Sequence, residues 1–381
     1  MKGRVCGKAI VLTHTFGPRA SLLAMVRRGS ADAGVPEGPP AVPSRRAVLR
    51  GRWNIRRLDP NVLVLDTARW RTDEGTYSEP APLVDIQQEL MQRGQQEVIF
   101  LRFQFDCAIA DLKGRRFELA IEQPQACEMW WNGMRMPLTD AGPYWDSAFR
   151  RVDVTPFVRQ GDNVLELRRP WQVDERRLAL LMGRTAGWEA RSIAPDVELE
   201  PIYLLGDFGV SFPEGCRQGP RGSKWLLGRP QVVDESSRLV ATDLVRTGYP
   251  FFVGRMALER EVMLKKTPSE SAVLELPPFK AVTATVHVNG QEASTVWKAP
   301  RVAPVGGMLV RGRNRVVITL TTSLRNMLGP HHHQDGEVLW VSPQSFACQR
   351  GWFGRNAGHS CVPDDYNVVE FGLAGEVVLR Y

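Results

Sequence analysis

Three histidines in a row, His331, His332 and His333, stand in "SLRNMLGPHHHQDGEVLW" (323–340) and make up half of the six in the chain. In extended chain His331 and His333 share one face and His332 takes the other. Two same-face imidazoles with Asp335 could bind a metal. Position and count exclude a purification tag. The adopted reading is an interface loop that hydrogen-bonds to a neighbouring domain, with no metal. Its imidazoles are expected to be held neutral by hydrogen bonds, because an unpaired buried charge is costly. Leu339, Val341 and Phe346 are expected to anchor the loop. The acids that invite attention are Glu198, Glu200 and Asp207 in "DVELEPIYLLGDFGV" (196–210). Hydrolysis of a glycosidic bond needs two carboxyl groups facing each other across a sugar. Glu198 and Glu200 share one face of a strand, but salt-bridged surface carboxylates are the adopted reading, and no catalytic residue is assigned. A third group, Trp130, Tyr144, Trp145 and Asp146, suits carbohydrate: pyranose C–H faces stack on aromatic rings and a carboxylate takes hydroxyls. Its competitor is packing in the core or between domains, since Trp is usually largely buried.

The elements that must position these residues are mostly strands. "VLVLDTARWR", "EVIFLRFQFD", "RFELAIEQ", "NVLELRR", "VTATVHVNG", "NRVVITLTT" and "GEVVLRY" alternate apolar and polar with a period of two. "PLVDIQQELMQRG" predicts a helix with Leu83, Ile86, Leu90 and Met91 on one side and Gly94 at its end. "AIVLTHTF" and "SLLAMVRR" predict a short N-terminal strand pair. Residues 30–47, rich in Pro and Gly, cannot hold a helix or central strand and read as a linker.

An internal repeat emerges from the turns. "EMWWNGMRM" (128–136) matches "TVHVNGQEA" (285–293) at Asn-Gly, the strongest short hairpin signal. "VTPFVRQGDNVLEL" (154–167) matches "VGGMLVRGRNRVVI" (305–318), aligning Gly161 with Gly312 and Asn163 with Asn314. The first copy carries six extra residues, within "LTDAGPYWDSAFRR". Alternation predicts Val286 and Val288 inside and His287 outside, and likewise Met129 and Trp131 inside and Trp130 outside. The fold expected is all-β, two sandwiches in tandem, with 1–49 as the end of a preceding domain plus linker, 50–215 as the first sandwich and 216–381 as the second.

Composition narrows the function. The chain has 381 residues, 43% hydrophobic and 24% charged, as in an ordinary globular protein. No apolar run approaches the roughly 18–20 residues that span a bilayer. The opening residues show no clear secretory signal, and no compartment is assigned. The net charge of +7 falls within residues 1–50, and the remainder balances. A basic groove for nucleic acid needs its cations clustered in the folded part, so neither nucleic acid nor membrane is expected as a partner. The six cysteines are scattered, with no CxxC. Paired-thiolate zinc is therefore not expected. Cys348 and Cys361 are close enough to bridge a loop, and free thiols are equally consistent.

"WWNGMRM…FRRVDVTPFVRQGDNVLEL" and "VHVNGQEASTVWKAP…LVRGRNRVVITL" resemble the galactose-binding-like jelly roll of glycoside hydrolases, as in the family 2 sugar-binding domain. "RLDPNVLVLDTARW", "ELEPIYLLGDFGV", "GYPFFVGRMALEREV" and "SLRNMLGPHHH", in that order, resemble the C-terminal β-domains of α-L-rhamnosidase-like glycoside hydrolases, family 106. The resemblance covers about residues 50–381. It implies two galactose-binding-like jelly rolls without catalysis of their own, because the family's catalytic carboxylates lie on a preceding (β/α)8 barrel. The implied partners are carbohydrate and such a barrel, on the same or a neighbouring chain. No cofactor is implied apart from a structural calcium ion. A free-standing carbohydrate-binding or adhesion module, and a glycosidase acting by itself, are the competing functions.

Overall fold

The computed structural model describes residues 2–6, 9–13, 43, 45–172, 199–332, 336–337 and 365–381. These residues form an all-β assembly of packed sheets, antiparallel except where Gln231–Val233 runs parallel to Glu97–Cys107. In the first repeat, Met134–Arg135, Glu128–Trp131, Gly161–Trp171, Glu97–Cys107, Gln231–Val233 and Gly209–Ser211 lie side by side, and Thr67–Thr72 also pairs with Glu97–Cys107. A five-stranded sheet belongs to the same repeat: Asp140–Tyr144, Asp146–Asp153, Phe117–Glu122, Ile202–Gly206 and Asn61–Leu65. In the second repeat the order is Arg238–Leu239, Trp53–Arg57, Arg255–Leu264, Gly312–Thr321, Thr283–Val288 and Gln291–Val296. It is accompanied by Val302–Pro304, Val273–Glu275, Val377–Arg380 and Arg46–Leu49. Strand pairing crosses a division at 215/216 in both directions. Arg46–Leu49 and Trp53–Arg57 complete the later sheets, and Gln231–Val233 extends the earlier one.

The repeat is reproduced bond for bond at its turns. Asn132-Gly133 and Asn289-Gly290 take φ of 49° and 80°, and of 51° and 86°, the left-handed pair a type I′ hairpin requires. Asn163 and Asn314 are fully buried. Each accepts a backbone N–H four residues upstream, from Arg159 or Val310, and donates back to the same residue's carbonyl oxygen. Each also donates to the glycine two residues before it and accepts from the turn asparagine. The turn asparagine in turn receives the N–H of Val164 or Arg315. Alternation around these turns follows expectation: Met129, Trp131, Val286 and Val288 are buried, whereas Trp130 and His287 are half-buried.

One local expectation is corrected and one extended. The N-terminal strand Ala9–Thr13 pairs with Lys2–Cys6, two residues upstream; its expected partner, residues 21–28, lies outside the described residues. The run "VLVLDTARWR" is two strands, Asn61–Leu65 and Thr67–Thr72, in different sheets. The chain changes sheets at Asp66, whose side chain is buried. The helix Leu83–Arg93 ends at Gly94 in the left-handed region and buries Leu83, Ile86, Leu90 and Met91 as its periodicity predicts. Among the described residues no helix is long and apolar enough to cross a membrane.

Candidate functional site

The histidines close the second repeat onto the first. After Gly312–Thr321 a short helix, Arg325–Leu328, turns the chain. Asn326 clamps it to the strand Tyr366–Val369, donating to the carbonyl oxygen of Val369 and accepting its N–H. The Asn367 N–H then donates to the carbonyl oxygen of His331. His331 and His332 are only 4% and 6% exposed. His331 places Nδ1 3.2 Å from Asp66 Oδ2 and Nε2 2.9 Å from the Asn326 carbonyl oxygen. His332 places Nε2 3.1 Å from the same Asp66 oxygen and Nδ1 2.9 Å from the Asp365 carbonyl oxygen. Phe251 and Tyr366 meet the His331 ring edge-on.

This geometry corrects the expectation of neutral rings. Both nitrogens of each ring face oxygen acceptors, and only the imidazolium has a proton for each. Burial alone would raise the Asp66 carboxyl; the charges and hydrogen bonds of the two histidines outweigh it and hold the group well below the usual carboxylate range. Asp85, in the first turn of the helix Leu83–Arg93, supplies a second negative charge. Burial raises its carboxyl and the field of His332 opposes that rise.

A shared metal fits this arrangement poorly. The ring centroids are 6.4 Å apart. Two imidazoles on one tetrahedral ion, with bonds of about 2.0–2.1 Å, would bring them to roughly 5 Å. EDTA is therefore expected to leave the melting temperatures of the parent and of His331→Ala/His333→Ala equally unchanged. A drop in the parent that the double variant lacks would place a metal in the loop. His333, Asp335, Leu339, Val341, Phe346, Cys348, Cys361 and Glu198 lie outside the described residues. Cys107, Cys127 and Cys216 are free thiols.

The four carbohydrate candidates are separated into two places. Trp130 lies on the outer face of the eight-stranded sheet, in the cross-strand row Trp130, Glu166, Arg102, Arg69. There Glu166 Oε1 accepts from Arg102 and from the Tyr77 hydroxyl, and the Arg102 guanidinium stacks 3.8 Å over the Tyr77 ring. Tyr144, Trp145 and Asp146 form the hairpin tip in the five-stranded sheet, where the six extra residues fall. Tyr144 is buried, which pushes its hydroxyl up to about 12. Trp145 is 58% exposed and holds φ of 54°, in the left-handed region. Asp146 Oδ1 accepts the N–H of Ala148 and so shapes the turn.

Beside this tip opens a cleft of about 520 Å³ that includes Glu122, Gln123, Gln125, Asp140, Ser147 and Arg150. Burial, then the nearby Asp146, raise the Glu122 carboxyl. The lining of the cleft offers amides, a hydroxyl and carboxylates, with Asp140 already paired to Arg150. Asp207, by contrast, is an ion-pair partner: Arg57 spans it at 3.3 Å and Glu235 at 2.7 Å.

The residue sequence reasoning missed is Asp66. Its one signal is a charge in the middle of an otherwise alternating run.

No family model matches the chain, and no curated protein matches it. Among solved structures it is similar to a β-D-mannosidase from Dictyoglomus thermophilum, at 13% identity and TM-score 0.27, covering 69% of this chain and 31% of that one. A rhamnosidase from Novosphingobium sp. PP1Y is 16% identical, with TM-score 0.26, 82% of this chain and 25% of that one. A Ruminococcus gnavus β-glucuronidase is 8% identical, with TM-score 0.27, 70% of this chain and 39% of that one. These neighbours are glycoside hydrolases, and the chain spans about a quarter to two fifths of their length.

Proposed function

We propose that this chain is a non-catalytic region of an α-L-rhamnosidase-like glycoside hydrolase. In this reading two galactose-binding-like jelly rolls support a catalytic barrel and contact carbohydrate. The observation that carries it is the joining of the two repeats. Modules that bind independently sit on linkers that few contacts cross. Here strands from before the first repeat complete the second, and His331 and His332 are buried on Asp66. Such a block suits a scaffold that must hold its partner at one angle, more than a pair of tethered adhesins. The surface assigned to carbohydrate is the Trp145 hairpin tip with its cleft.

Two results test this reading. The chain alone is expected to turn over no aryl rhamnoside; hydrolysis that Glu200→Gln or Asp207→Asn abolishes would make it a glycosidase in its own right. Oligosaccharide binding measured on an array is expected to fall roughly two- to tenfold in Trp145→Ala, the range of an aromatic contact. An unchanged profile would remove the hairpin tip from the binding surface.

A further inference from the structure

The geometry points to a binding site for a small hydroxylated carboxylate, a sugar acid, in a cleft of the second repeat. This cleft, of about 380 Å³, is lined by Arg221, Lys280, Ser323 and Glu370 around an apolar floor that includes Phe252, Phe371 and Val282. Its volume falls in the range of small-molecule sites. It lies apart from the Trp145 hairpin and does not rest on the accessory-region reading.

The cations carry the argument. Both Arg221 and Lys280 are exposed at the cleft, and among the described residues neither forms an ion pair with a carboxylate. Arg221 is held there at a cost. Its backbone sits at φ 54°, ψ 31°, a region that an L side chain enters only when its surroundings impose it. The surroundings are tight. A Cβ on Gly336 would lie 2.3 Å from the Pro220 carbonyl oxygen, and Arg221 Nη1 donates to the Glu337 carbonyl oxygen at 3.4 Å. The guanidinium spends one N–H on Glu337 and keeps its other donors for a carboxylate.

The rest of the wall asks for hydroxyls. Glu370 is fixed by Lys224 at 3.2 Å and is an acceptor; the Ser323 hydroxyl can donate or accept. Asn326 is already saturated by Val369 and serves as wall. The stacked pair Phe252 and Phe371, with centroids 6.0 Å apart, underlies Val282, which is 53% exposed. A neutral sugar would leave two cations without a partner, and a bare alkyl acid would leave the hydroxyl-binding groups without one.

Calorimetric titration of the full chain with glucuronate, glucose and propionate tests the site. Glucuronate is expected to saturate, at least roughly tenfold tighter than either other compound. Arg221→Asn and Lys280→Gln are each expected to weaken it about ten- to a hundredfold, the worth of a charge-assisted hydrogen bond, and Trp145→Ala to leave it unchanged. Asparagine tolerates the left-handed backbone, and Lys280 is exposed, so both variants should melt like the parent. Equal binding of glucose or propionate, no saturation by glucuronate, or full affinity in both folded variants would overturn the assignment.

Discussion

Asp66→Ala is expected to lower the unfolding free energy by about 3–5 kcal/mol, the cost of removing one partner from a buried charge pair. It leaves two buried imidazolium rings facing each other with no counter-charge between them. Asp66→Asn keeps the volume and can still present one oxygen to both rings, but it removes the negative charge, so a large part of the loss is expected there too. Urea denaturation measures both. A midpoint within error of the parent for either variant would mean that the junction is not held by charge.

The same pair has a pH signature whose sign follows from Asp66. Its folded value is depressed from the ordinary 3.8. A depressed carboxyl contributes stability that is fully present above the unfolded value and is lost as pH falls through the folded one. Below about pH 4, where the unfolded carboxyl takes up its proton, the stability gap between the parent and Asp66→Asn is therefore expected to shrink. A gap that widened below about pH 4 would contradict the assignment of Asp66 as the anion of the cluster.

Asn163→Ala and Asn314→Ala are each expected to cost about 3 kcal/mol. Asn163→Ala removes five hydrogen bonds and Asn314→Ala four, worth roughly 0.5–1.5 kcal/mol apiece, and each leaves backbone groups buried without partners. Asn163 is expected to cost the more, because it also accepts from the Trp131 indole N–H at 3.2 Å, where the second repeat has Val288. The two sites share no partner, so the double variant is expected to show the sum of the single losses. A loss under 1 kcal/mol at either position, read by the same urea titration, would show that water replaces the side chain there.

Much of this architecture was legible before any coordinates. Period-two runs marked the strands, because a half-buried strand must alternate. Asn132-Gly133 and Asn289-Gly290 marked the hairpins, because few residues adopt the left-handed pair a I′ turn needs. The matched Asn163 and Asn314 exposed the repeat, although why asparagine recurs became plain only from its bonds to a loop four residues away. Tyr144 is buried and its neighbour Trp145 exposed; nothing local says which side of a hairpin tip the rest of the chain will cover.

The sequence by itself determined the fold class, the helix over Leu83–Arg93, the repeat and the facing of Trp130 and His287, since all of these depend on neighbours within a few positions. Only the tertiary structure decided that Trp130 and Trp145 lie in different sheets, that Trp53–Arg57 completes a sheet begun some 200 residues later, and that Asp66 is the counter-charge of His331 and His332, 265 and 266 residues away. The physical reason is the same in each case. A carboxylate in a strand is ordinary while it faces water, and its role changes only when a distant segment removes that water and supplies the charge that replaces it.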